Sequence, residues 1–162
     1  MPMKNREFLQ LVRDVALEAL SDELPDCRLR SSLLQLYFGD PRQHYEVWVR
    51  SQAGLMELGL HFEGEKEDNL RRIAVVAEAM PMVVGQLGTA VEVEEWTERW
   101  TRVHETIPLG ELTEDFAVEV GRRLARYIEV LEPIVSPLGP MRPPAPHEQA
   151  DSRRWRGRRR GG

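Results

Sequence analysis

One cysteine, Cys27, is all the thiol chemistry this chain has. A disulfide framework and any multi-cysteine metal site within the chain are excluded, and the ordinary reading of a lone cysteine two residues after Pro25 is a small buried hydrophobe. Long apolar runs are lacking too. Charges interrupt the longest of them, well short of the roughly 20 apolar residues that a membrane-spanning helix needs. The opening residues MPMKNREF hold no apolar stretch of the kind a secretory leader carries, which points to a cytoplasmic protein. Lysine occurs only at Lys4 and Lys66, and the rest of the 22 basic residues are arginine. Also missing are the phosphate-cradling glycine loop, the dinucleotide fingerprint, H-E-x-x-H and the G-x-S-x-G elbow; Gly85 and Gly88 fall at a helix end, where a cap explains them. No catalytic residue and no cofactor is expected from motifs.

What is present fits one domain. The chain has 162 residues, 41% hydrophobic and 30% charged, enough for a single core and too short for two ordinary ones. Charge is unevenly spread: residues 1–140 carry a net −10, whereas residues 141–162 carry a net +5. A domain over residues 1–136, a proline-rich linker over 137–152 and an arginine-rich disordered tail over 153–162 follow from that division.

Periodicity orders the domain. Phe8, Leu9, Val12, Val15, Ala16, Ala19 and Leu20 recur at helical steps, and Pro25 stops the chain from continuing that way. RLRSSLLQLYF reads as a strand covered on both sides, with Leu29, Leu33 and Tyr37 on one face and Leu34, Leu36 and Phe38 on the other. After a turn at GDPR, HYEVWV and LMELGLHFE alternate strictly, and matching their apolar faces through a tight turn at 51–54 sets Arg50 opposite Leu55, Trp48 opposite Glu57 and His44 opposite His61. Asp68 or Asn69 caps a second helix with Leu70, Ile73, Ala77, Val84 and Leu87 on its stripe, and Pro81 should kink or split it. TAVEVEEW and WTRVHETI form a hairpin turning near Thr97 and Glu98, with Val91 and Val93 inward. Thr113 caps a last helix with Phe116, Val120, Leu124, Tyr127 and Leu131 on one stripe, ended by Pro133 and Pro137. The order α-β-β-β-α-β-β-α predicts an α+β domain: an antiparallel sheet of about five strands with helices on one face.

That order and acidity, over residues 5–135, resemble the type III secretion chaperones, which implies a dimer holding a client protein extended. At residue level, LMELGLHFEGEKEDNLRRI, VVGQLGTAVEVEEW and the closing helix with LEPIVSPL resemble a bacterial domain of unknown function often attached to restriction-endonuclease-like nucleases, over roughly residues 43–138. That resemblance implies an accessory role in nuclease or DNA-defence systems.

Two constellations carry possible chemistry. His44 opposite His61, with Glu46, Glu57 and Glu63 on the same face, puts metal-ligand and acid-base groups together; His44, His61 and Glu63 are the candidate ligands, although charged residues alternating on a sheet most often face solvent. His104 joins only if the strand order brings it near. In the tail, Arg153, Arg154, Trp155, Arg156, Arg158, Arg159 and Arg160 can neutralise phosphates and stack an indole on a base. The acidic runs Glu92, Glu94, Glu95, Glu98 and Glu63, Glu65, Glu67, Asp68 offer the same arginines an internal alternative. Trp48, Trp96 and Trp100 fit core or hairpin pairing. The expectation is a non-enzymatic binding module, a homodimer with a protein partner, no membrane contact and a basic tail for nucleic acid.

Overall fold

Alternating and helical patterns resolve, in a computed structural model that describes residues 2–143, into four helices and one antiparallel sheet. The chain runs α1 (Asn5–Ala19), β1 (Asp26–Leu29), β2 (Leu33–Tyr37), β3 (Gln43–Arg50), β4 (Leu55–Phe62), α2 (Lys66–Glu78), α3 (Met80–Leu87), β5 (Glu92–Glu95), β6 (Thr101–Pro108) and α4 (Glu114–Val135). The sheet has six strands in the order β1-β2-β3-β4-β6-β5, so the α2–α3 crossover delivers β5 to the far edge and the hairpin returns β6 beside β4. The α+β class is therefore as the sequence predicts, with one strand more.

The extra strand comes from RLRSSLLQLYF, which is a hairpin rather than one strand. Arg30 donates its backbone N–H to Leu33, closing a turn over Ser31 and Ser32, and Leu29 pairs with Leu34. Only Leu34 and Leu36 of that stretch are fully buried, so β2 is covered on one side, not two. Cys27 lies on the edge strand β1 and is exposed, contrary to the buried position its residue type suggests. Partial burial still pushes its thiol pKa up, against the opposing pull of Arg13, so the group is not an activated nucleophile.

Register between β3 and β4 is the predicted one, with Arg50 opposite Leu55, Trp48 opposite Glu57 and His44 opposite His61. It follows that Tyr45, Val47 and Val49 share a face with Met56, Leu58, Leu60 and Phe62, all buried under the helices. Tyr45 fixes which side that is: its hydroxyl donates to Glu132 of α4 at 2.7 Å. The other face holds His44, Glu46, Glu57, His61, Arg102 and His104.

Helix boundaries follow their caps with two corrections. Thr113 Oγ1 accepts from the Phe116 N–H at 3.1 Å, as predicted, but α4 runs through Pro133 to Val135. A proline deletes one helical hydrogen bond, and here the following turn is completed by the Ser136 N–H bonding to Glu132. The second helical segment does split at Pro81, into α2 and α3, yet α2 starts at Lys66 with Glu65 as N-cap, three residues before Asp68 and four before Asn69, the predicted caps. Its buried face contains Asp68, Asn69, Arg72, Ile73 and Val76, while Ala77 is exposed and Leu70 half-buried. A charged pair inside the stripe explains the shift: Arg72 Nε lies 3.3 Å from Asp68, both side chains almost wholly buried.

That pair receives the chain's return from α4. Arg72 donates to the Gly139 and Pro140 carbonyls, Asp68 accepts the Arg142 N–H at 3.0 Å, and Arg42 donates to the Arg142 carbonyl. Met141 is buried against Gly64, where a Cβ would stand 2.3 Å from its methyl carbon. The first residues of the proline-rich segment thus form a strap on the body. Among the described residues no helix is long and apolar enough to cross a membrane.

Candidate functional site

Two adjacent strands build the site because alternation puts residues i and i+2 on one face. His44 and Glu46 come from β3, His61 from β4, and Glu63 follows one residue beyond it. The imidazoles of His44 and His61 stack with centroids 5.3 Å apart and planes 14° from parallel. His44 Nε2 lies 2.9 Å from Glu46 Oε1 and 3.5 Å from Glu63 Oε2. His61 lies 3.2 Å from Glu63 through Nδ1 and 3.6 Å from Glu46 through Nε2. Glu46 thus joins the three residues singled out from sequence as a fourth member.

This face is not the solvated one its polarity suggests. His44, Glu46 and His61 are 2%, 5% and 1% exposed, although the helices lie on the opposite side. Close strand approach is one reason: at Gly59, opposite both Glu46 and His104, a Cβ would fall 2.3 Å from the Val103 carbonyl oxygen and 2.7 Å from His104 Cα. Only glycine permits that contact. Aromatic side chains bound the face, with Trp96 edge-on to His61 at 4.9 Å and Trp48 under the Arg50 guanidinium at 4.7 Å. Trp96 and Trp100 pair at the hairpin as expected, with ring centroids 6.0 Å apart.

Electrostatics follow from burial and pairing. Burial opposes a charge on His44, but the hydrogen bond to Glu46 and the negative charges of Glu63 and Glu46 prevail and raise its pKa. Glu46 is pushed up by burial and brought down further by His44, His61 and Gln35, for a net lowering. His44 Nδ1 sits 2.8 Å from the Pro41 carbonyl, an acceptor only, so Nδ1 carries the proton and Nε2 is the nitrogen turned toward the carboxylates.

His104 lies in the next cluster, not in this one. Strand order places it opposite Gly59 and Glu92, and its Nε2 pairs with Glu94 at 2.7 Å. Arg102 bridges Glu57 at 3.1 Å and Glu94 at 3.3 Å. Of the second acidic run, Asp68 is taken up by Arg71, Arg72 and the strap. Arg153, Arg154, Trp155, Arg156, Arg158, Arg159 and Arg160 lie outside the described residues. Comparison with known protein families, with curated proteins and with solved structures finds no match for this chain.

Proposed function

We propose that the protein is a non-enzymatic binding module whose acidic body engages a protein partner and whose arginine run attaches it to nucleic acid. The charge division carries this reading: a net −10 over residues 1–140 against six arginines and a tryptophan within residues 153–160. A body of that sign repels phosphates, so attachment through the cationic end would be sequence-tolerant and steeply weakened by salt.

Burial supports the non-enzymatic part. A general base has to reach a substrate proton directly or through one water, and His44 and His61 are almost wholly enclosed by their own neighbours. Protein engagement is supported by the two sheet edges, β1 and β5, which have no further strand partner among the described residues, and by the exposed apolar side chains Leu24, Met82 and Trp100. A second copy adding along an edge would make the homodimer.

The test compares the full chain with one ending at Pro143, which keeps the strap intact, in gel-shift titrations on single-stranded and duplex nucleic acid. The full chain should bind at low salt, its log K falling with log salt by about 0.9 for each duplex phosphate neutralised. The shortened chain should lose that binding. Equal binding by both would refute the attachment, and a monomer by light scattering would refute the dimer.

A further inference from the structure

We propose that His44, Glu46, His61 and Glu63 bind one divalent transition-metal ion, zinc by the chemistry of the donors, in a closed site that braces β3 against β4. Four ligand-type atoms, one from each side chain, lie within 4.8 Å of one another. Contacts between the histidines and the carboxylates span 2.9, 3.2, 3.5 and 3.6 Å. These contacts use both ring nitrogens of His61 and both oxygens of Glu46, so a set with one donor atom from each side chain is bounded by the 4.8 Å figure. A tetrahedral ion with bonds of about 2.0–2.1 Å holds its ligand atoms about 3.3–3.4 Å apart, and the widest separations would have to close by up to about 1.4 Å, within reach of rotations of the two glutamates.

Donor type selects the ion. Two imidazoles and two carboxylates suit zinc and its neighbours in the first transition row, whereas calcium and magnesium demand more oxygen ligands than this cluster supplies. The formal charges also match, because two carboxylates and two neutral imidazoles need two positive charges and one divalent ion brings both. Four protein ligands leave no open position for a water nucleophile, which makes the site structural and consistent with its burial.

The surroundings orient the ligands as metal sites do. The Pro41 carbonyl accepts the hydrogen bond from His44 Nδ1–H and aims Nε2 inward, while the Gln35 amide, 3.3 Å from that nitrogen, would have to turn away as the ion binds. Trp96 closes the His61 side. Glu63, at 19% side-chain exposure, is the way in from solvent. Glu92, Glu94 and His104 form a second group of ligand types, but the Arg102 guanidinium against Glu94 already occupies it with positive charge.

The full chain is titrated with zinc under chelator competition, and with cobalt, whose tetrahedral complexes absorb strongly in the visible. One equivalent per chain with tetrahedral cobalt absorption is the expected result. Glu63→Gln, a substitution at the exposed mouth, and His44→Ala should each weaken binding at least about tenfold. His104→Ala and the chain ending at Pro143, which lacks His147, should keep the equivalent. If His44→Ala does not fold, Glu63→Gln with an unchanged circular dichroism spectrum decides. No binding at micromolar zinc, binding indifferent to Glu63→Gln, or loss of the equivalent in His104→Ala or the shortened chain would each overturn the proposal.

Discussion

Arg102 and the His44–His61 pair lie on one face of one sheet and meet the same difficulty, carboxylates withdrawn from water. Around Arg102 the answer is a permanent cation: one guanidinium spans Glu57 and Glu94, and His104 adds to Glu94. Around the histidines, although Arg102 stands opposite His61 in the register, the contacts of Glu46 and Glu63 among the described residues are with imidazoles and, for Glu46, the Gln35 amide. A half-buried carboxylate on the helix side, Glu132, has neither, with Tyr45 as its hydrogen-bond donor. Three environments in one small fold show that burial alone does not fix how a carboxylate behaves. The partner does. A guanidinium makes the cluster independent of conditions, whereas imidazoles leave it responsive to whatever cation arrives.

Removing the permanent cation should have the largest effect. Arg102→Met keeps much of the stem but leaves Glu57, 4% exposed, with the half-exposed Arg50 at 3.4 Å as its remaining cation. A loss of about 3–5 kcal/mol in urea denaturation is expected. A loss no greater than about 0.5 kcal/mol, the size of a surface substitution, would erase the distinction between the clusters.

Gly59→Ala comes next, because its Cβ would meet backbone atoms of β6 that have no rotamer to escape into. The expected cost is near the ~3 kcal/mol upper end for overpacking. Both clusters should loosen together, visible as faster hydrogen exchange in β4 and β6. Loss confined to one cluster would show that their enclosure has separate origins.

Glu132→Gln should give the smallest change, and of opposite sign. Burial raises the Glu132 pKa, with Glu23 adding to the effect and the Tyr45 hydrogen bond opposing it. A carboxyl whose folded pKa lies above its unfolded value stabilises the fold only when protonated, so its ionisation costs stability as pH rises through that window. Glutamine keeps an acceptor for Tyr45 and removes the charge. The variant should therefore melt slightly higher than the parent at neutral pH and equally below the ordinary carboxylate pKa of 4.5. A lower melting point at neutral pH would mean that the ionised carboxylate is stabilising there.

How far the sequence carried these features differs between the two faces. The β3–β4 register was legible because matching the alternating faces of Met56, Leu58, Leu60 and Phe62 with Tyr45, Val47 and Val49 fixes the parity of the pairing, and the tight turn at 51–54 then sets His44 against His61. Burial of the polar side was not legible. Alternation reports which residues share a face and says nothing about strand separation, and the close contact at Gly59 involves a residue with no side chain to form a pattern. The β1–β2 hairpin was hidden because Ser31 and Ser32 turn the chain without glycine or proline. Asp68 and Arg72 broke the hydrophobic stripe of α2 and displaced its predicted start, since a buried ion pair reads in sequence as a solvated surface.

The strap over Gly64 sets a limit on the reach of everything beyond it. Pinned through Met141 and the carbonyl bonds to Arg72 and Arg42, the chain is held, two residues before Pro143, against Gly64, the residue that follows Glu63. Arg153 stands ten residues beyond Pro143, a contour of at most about 36 Å. Whatever path the chain takes, the backbone of Arg153 therefore lies within that contour of Pro143.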